Sequence, residues 1–290
     1  MRSISIAAAV TPNLLDKLYV QMNSIKMNKN CQTMVQYYVF IACTAEYPLD
    51  ACKEYLKDLM SEDFYIHYAD ATAYKDQIAQ RTWIAFIRCL FPRLFLFDRI
   101  ILYLDTDLVC IQPGLEKLFD EPVDDYYLAA AEDPAAIYSD AGLHDDKNTG
   151  NPKYFNSGVM LLNLDRIRKE GKDKELAAWC KAWDHSKLRY TWDDQTLLNY
   201  VLKDKVLLVA SKWNNQVFAA HHVSQRAFQI TAEKEGYKDP LSSIEDTVFV
   251  HFCSANKPWR VSFSSGPYAP IYMDYGKEIW EDAVKKYSKR

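Results

Sequence analysis

Along the first part of the chain, apolar runs of strand length alternate with amphipathic stretches of helix length. The apolar runs are Ser3 to Ala9, Met34 to Ala42, Phe64 to His67, Arg99 to Leu104 and Tyr127 to Ala131; the helical spacing falls on Leu14 to Lys26, Leu49 to Met60 and Gln80 to Leu90. This alternation predicts an α/β fold with a mostly parallel central sheet flanked by helices. Ligands of such folds collect beyond the carboxyl ends of the strands, so candidate chemistry belongs there.

After Tyr154 the pattern changes. A long apolar stretch, Phe155 to Leu164, precedes a charged helix from about Asp165 to Trp183 and a further helix from about Asp193 to Leu202. A short strand, Lys205 to Val209, and a last one, Thr247 to Phe252, follow. No Pro/Gly/Ser linker divides the chain, so residues 1–265 read as one domain and 266–290 as a C-terminal helical extension. Asp140 to Lys153 and Asn214 to Asp246 have the length and composition of binding loops or lids.

Composition narrows the function classes. With 290 residues, 49% hydrophobic and 26% charged, the chain can bury a full core without disulfides or a structural metal, so a metal here would be functional. A net charge of −4 provides no chain-wide basic field, which argues against nucleic acid as a partner. Seven cysteines, several inside apolar runs, suit reduced thiols in a cytoplasmic protein. The apolar N-terminus reads as a buried strand, and no window has the length of a membrane span.

Four stretches stand out chemically. Arg99 to Leu104 is an apolar strand ending in Asp105-Thr106-Asp107, and carboxylates at i and i+2 of an extended chain share a face and can reach one cation. Far downstream, another apolar strand delivers His251, with Lys257 six residues later. Two carboxylates and one imidazole suit a borderline cation such as Mn2+ better than Ca2+. Asn156 interrupts the apolar run Tyr154 to Leu162, and Asp193-Asp194-Gln195 opens a helical pattern, where acidic residues also serve as ordinary N-terminal caps.

In this order the stretches resemble the retaining sugar transferases of glycosyltransferase family 8, a family that includes glycogenin, galactinol synthase and bacterial lipooligosaccharide galactosyltransferases. The matching motifs are Tyr103-Leu104-Asp105-Thr106-Asp107, Phe155-Asn156-Ser157-Gly158-Val159, Asp194-Gln195-Thr196-Leu197-Leu198-Asn199 and His251 to Trp259. The resemblance covers about residues 3 to 260 and implies a GT-A type nucleotide-sugar-binding fold. It implies Asp105, Asp107 and His251 as ligands of Mn2+, with Mg2+ as the alternative ion, and a hexose, glucose or galactose, moved from a UDP-sugar. Lys257 and Ser254 would meet the diphosphate, and Thr106 would line the donor. Arg88, seventeen residues before Asp105, would contact the sugar or the Asp side chains near it. Asn156, Asp194 and Gln195 would line the hexose, the last two as catalytic residues, with Asp133 near the sugar or the acceptor. Ala9, Thr11 and Asn13 would receive the uridine.

Two positions depart from the family pattern. The exit of the first strand reads Val10-Thr11-Pro12-Asn13-Leu14 rather than an acidic or Asn-rich turn followed by Tyr, and Ser254 replaces the usual glycine. The implied acceptor is a glycan, a lipid-linked sugar or a glycoprotein. Alternative readings are an aspartyl-phosphate-type phosphatase, for which Leu104 to Val109 is a loose match, and an inactive carbohydrate-binding protein on the same fold. The C-terminal spacing of Ile279, Trp280, Ala283, Val284 and Tyr287, with basic neighbours, fits a packed helix, with peripheral membrane-surface contact as the second reading. His221-His222 reads as a loop pair.

Overall fold

The computed structural model of the chain describes residues 2–80, 82–134, 154–182, 193–216, 233–236, 245–253, 257–259 and 268–277. Ser254, His221-His222, the loop 140–153 and all of the apolar pattern in 278–290 lie outside the described residues, as does most of the stretch 214–246.

The main sheet is built from β1 (Arg2–Val10), β2 (Thr33–Ile41), β3 (Phe64–Asp70), β4 (Ile100–Leu104), β6 (Leu128–Glu132), β7 (Phe155–Asn163) and β8 (Val206–Val209), in the order β3-β2-β1-β4-β7-β6-β8. Every neighbouring pair is parallel except those that involve β7, which runs against both β4 and β6. The mostly parallel sheet expected from the alternation is present. Helices α1 (Leu15–Asn28), α2 (Leu49–Leu56), α3 (Trp83–Leu94), α4 (Leu164–Lys169), α5 (Lys172–Ala182) and α6 (Asp193–Leu202) flank it. All nine residues of β7 are buried, the pattern of a strand covered on both faces. Large apolar groups such as Ile6, Phe86, Phe91, Leu102 and Leu161 have no solvent exposure, each contributing about 1.5–3 kcal/mol by burial.

Two expectations from the pattern are corrected. The charged stretch from Asp165 is two helices, because Gly171 takes a φ of +73° between α4 and α5, a conformation that ends a helix. A second sheet of three strands, β5 (Leu108–Cys110), β9 (Asn215–Gln216) and β10 (Phe249–His251), has only its last strand foreshadowed in the apolar pattern. β5 starts three residues after Asp105 and pairs antiparallel with β10, so that His251 stands opposite Leu108. The small sheet thus folds the downstream histidine onto the Asp105-Thr106-Asp107 turn. Helix α7 (Tyr268–Tyr275) lies on α1, held by Asn23 Nδ2 donating to the Tyr275 carbonyl at 2.9 Å. Among the described residues no helix is long and apolar enough to cross a membrane.

Candidate active site

β4 carries its chain to the carboxyl edge of the sheet and releases it at Asp105. The turn is gripped by backbone on two sides: Asp105 N–H donates to Gly158 O at 2.8 Å, and Phe252 N–H donates to Asp107 O at 2.9 Å. Behind it, the buried Gln21 of α1 donates to the Asp105 carbonyl and accepts from Tyr37 of β2. Asp105, Asp107 and His251 each offer a ligand atom within 4.8 Å of the others. His251 Nε2 lies 3.1 Å from Asp107 Oδ1 and 3.8 Å from Asp105 Oδ2. Burial alone would raise the Asp107 pKa, but its interactions with His251 and with the Lys257 ammonium outweigh it and hold the carboxyl well below its ordinary value. Lys257 also donates to Phe252 O at 2.6 Å.

Arg88, projecting from α3, organises the other side. Its guanidinium lies 3.0 Å from Asp105 Oδ1 and 3.0 Å from Asp194 Oδ2, donates to Ser157 O at 2.9 Å, and stacks 4.3 Å above the Tyr103 ring. Tyr103 donates to Asp105 Oδ1 at 2.7 Å, so that one oxygen is held from two directions. The single Nε–H of Arg88 points at the Ala85 carbonyl, 2.9 Å away. Asp194 Oδ2 therefore receives its charge without a hydrogen bond and is a buried acceptor with no such partner. Burial pushes the Asp194 carboxyl up to about 6; Arg88 opposes the rise and Asp105 adds to it.

The start of α6 places Gln195 beside Asp194. Gln195 Oε1 accepts from Ser157 N–H at 3.0 Å, and its Nε2 donates to Asp133 Oδ2 at 2.9 Å. Asn156 Nδ2 donates to the same Asp133 oxygen at 3.1 Å. Asn199 clamps the helix to β7, accepting from Phe155 N–H and donating to Phe155 O, both at 2.9 Å. Asp133, Asn156, Asp194, Gln195 and the three candidate ligands surround one cavity of about 350 Å³, which Cys253 also lines.

A second cavity of about 360 Å³ continues from it past Arg88, Asp105 and Asp107. Ala9, Thr11, Leu14, Thr106, Lys257 and Trp259 line it, so the exit of β1 and the turn Asp105-Thr106-Asp107 face the same space. Asn13, expected beside Thr11, is exposed and stands outside that lining.

Pattern reading missed Gly158, Ser157, Tyr103, Gln21 and Asn214 as contributors. A Cβ on Gly158 would overlap the His251 ring, lying 2.7 Å from Nδ1, so this glycine leaves the space in which the imidazole sits. The available signal was Gly158 next to Asn156 in an otherwise apolar run. Asn214 carried none: it lies in a polar stretch without period, and β9 is too short to show alternation.

Whether the donors fit a divalent cation can be judged from the ring. Nδ1 is engaged by Asn214 Oδ1 at 2.9 Å, which leaves Nε2 facing the two carboxylates. Two carboxylates and an imidazole nitrogen converging in this way fit a cation of the Mn2+ or Mg2+ class.

The sequence profile of the family described as Glycosyl transferase family 8 matches residues 5–262. General stress protein A of Bacillus subtilis is 28% identical over 201 residues, covering 67% of this chain and 65% of that protein. Glycosyltransferase GlyB of Streptococcus pneumoniae is 25% identical over 290 residues, 98% of this chain and 64% of its own length. The chain thus spans less than two thirds of these curated relatives. Among solved structures, the galactosyltransferase LgtC in complex with donor and acceptor sugar analogs superposes with a TM-score of 0.69 at 20% identity, over 95% of this chain and 96% of that one. That likeness carries the fold, the GT-A arrangement of sheet and helices. With the profile matching residues 5–262 of the 290, the chain belongs to glycosyltransferase family 8.

Proposed function

We propose that this protein is a retaining, metal-dependent hexosyltransferase that moves glucose or galactose from a UDP-sugar to a glycan, lipid-linked or glycoprotein acceptor. One observation carries the reading: the ligand atoms of Asp105, Asp107 and His251 converge at the junction of two cavities. One cavity is rich in amides and carboxylates suited to sugar hydroxyls; the other is more apolar and suited to a nucleoside. Relatives support the substrate class. One is the lipopolysaccharide glucosyltransferase WaaO of Escherichia coli, 28% identical over 60% of this chain and 48% of its own length.

In this reading the uridine lies against Ala9 and Thr11, and the hexose against Asp133, Asn156, Asp194 and Gln195. Breaking the bond between the anomeric carbon and the phosphate oxygen leaves negative charge on the diphosphate. A divalent cation held by Asp105, Asp107 and His251 would supply Lewis-acid stabilisation of that charge. Lys257, already directed at Asp107, adds a second positive charge on the same side. Gln195 Oε1 accepts from Ser157 N–H at 3.0 Å and, at 3.4 Å, from the Ser157 hydroxyl, whose rotation away frees a lone pair for the electron-poor anomeric carbon. The acceptor hydroxyl attacks from the face the UDP leaves, its oxygen bonds to the anomeric carbon, and its proton passes to the departing phosphate oxygen. The configuration is retained.

The phosphatase alternative requires Asp105 as a free nucleophile, whereas its Oδ1 is held by Tyr103 and Arg88. The test is hydrolysis and transfer with UDP-glucose and UDP-galactose, with Mn2+ and after chelation, followed by NMR of the product. Expected are metal-dependent turnover, an α-linked product from the α-linked donor, and loss of most activity in folded Asp107→Asn and His251→Ala variants. Turnover undiminished by chelation rules out the metal assignment, and a β-linked product rules out retention. Binding without any turnover returns the chain to the carbohydrate-binding alternative.

A further inference from the structure

We propose that Asn214 is a positioning residue that holds the His251 imidazole in the tautomer whose Nε2 carries the lone pair, through a hydrogen-bond chain that can run in one direction only. The inference rests on the metal reading above for its purpose, and on geometry for its content. The chain is anchored at a backbone N–H, which can only donate. Gly158 N–H donates to Asn156 at 2.9 Å, so the Asn156 atom it meets is the carbonyl oxygen, Oδ1. The same oxygen lies 2.9 Å from the Asn214 amide, so the Asn214 atom facing it is the donor, Nδ2. Asn214 must then turn its oxygen to His251 Nδ1, 2.9 Å away, and Nδ1 must carry a proton.

Asn156 is fixed independently from its other end, where Nδ2 donates to Asp133 Oδ2. Every member of the chain is buried: Asp133 4%, Asn156 5%, Asn214 1% and His251 1% exposed, so water cannot rescue a reversed amide. The pairing of β9 with β10, Asn215 opposite Val250 and Gln216 opposite His251, brings Asn214 to the ring, and the absent side chain of Gly158 leaves room for the ring beside β7. In this tautomer the bare Nε2 faces Asp107 Oδ1 at 3.1 Å. Two lone pairs at that distance repel unless a cation or a proton lies between them. The chain therefore presents to a metal a ring already turned and already bare at the ligating atom, the role that outer hydrogen-bond partners of ligating histidines serve generally.

The consequence is that Asn214, which stands outside the lining of both cavities described above, controls metal affinity. Long-range 1H–15N NMR of the metal-free wild type, at a pH where the ring is neutral and with His251 identified by its absence in His251→Ala, reads the tautomer directly. Manganese binding is read in parallel, without nucleotide, from the EPR signal of free Mn2+. The expected result is the Nδ1–H form in the wild type. In folded Asn214→Leu that form is lost and Mn2+ binds about 10–100-fold more weakly. Asn214→Asp keeps an acceptor for Nδ1–H and so retains the tautomer, although its second oxygen meets Asn156 Oδ1 without a proton and lowers stability. An Nε2–H ring in the wild type overturns the proposal, as does a folded Asn214→Leu with wild-type affinity. Should Asn214→Leu fail to fold, the wild-type tautomer decides. A wild type that binds no Mn2+ overturns the metal reading instead, and the tautomer still establishes or removes the role of Asn214.

Discussion

Asp194 shows how one buried carboxylate couples folding to pH. Its pKa rises from 3.8 to about 6 because it is buried, close to Asp105, and takes charge but no hydrogen bond from Arg88 on its Oδ2. Between these values the folded chain binds a proton that the unfolded chain has lost. Stability from this group is therefore full below about pH 4 and declines as the pH rises to about 6, by roughly 3 kcal/mol at most in the metal-free protein. Asp194→Asn removes this dependence. Urea unfolding at several pH values should show the wild type falling relative to the variant across that window and the difference constant above it; parallel curves would locate the proton elsewhere. Gly158 gives the second prediction at this scale. In Gly158→Ala a methyl group meets His251, which Asn214 holds on one side and Asp107 flanks on the other, so the ring must leave its seat. Calorimetry should show Mn2+ binding weakened by about tenfold or more with the fold intact by circular dichroism.

At the scale of elements, what the sequence reveals depends on how much side-chain pattern an element carries. β7 and the start of α6 are legible because nine consecutive buried positions and an acidic helix opening leave clear marks. β5 and β9 are three and two residues long and pair through backbone register, so no alternation announces them. For that reason the candidate ligands Asp105, Asp107 and His251 could be picked out near strand ends while Asn214, delivered by β9, could not. Asn13 follows Thr11 closely in the chain, yet the short 3-10 turn Pro12–Leu14 leaves it exposed and outside the lining of the second cavity. The break between α4 and α5 was hidden by continuous helical spacing across Gly171, whose φ of +73° disfavours any side chain. Gly171→Ala should cost about 1–2 kcal/mol in chemical unfolding and leave Mn2+ and UDP affinities unchanged, since the break lies away from the cavity. Undiminished stability would mean the helices can merge or re-cap without loss.

On the scale of the whole molecule, the candidate site sits where two sheets meet. Asp105 ends a strand of the large sheet, whereas His251 ends a strand of the small one, and Asp107 lies in the turn that passes between them. Lys257 and Trp259, which follow β10, close the far side of the second cavity, and Trp259 packs on Tyr272 of α7. A ligand gripping all three candidate metal residues would therefore tie together parts of the chain that are far apart in sequence. Anything that binds only the folded state stabilises it, by about 2.7 kcal/mol when present at roughly 100 times its Kd. In this architecture the gain should be concentrated at the junction. The small sheet has short strands and is the weaker partner, so opening of β10 away from the turn is the motion the ligand suppresses. With Mn2+ and UDP, the unfolding midpoint should rise, and amide exchange should slow most in 108–110 and 249–253, with little change in β2 and β3. Chelation should reverse both effects, and His251→Ala should abolish them, because its side chain is the small sheet's contribution to the grip. Protection spread evenly over both sheets would mean that UDP is held by the large sheet alone, and that His251 is a structural neighbour of the site rather than a ligand in it.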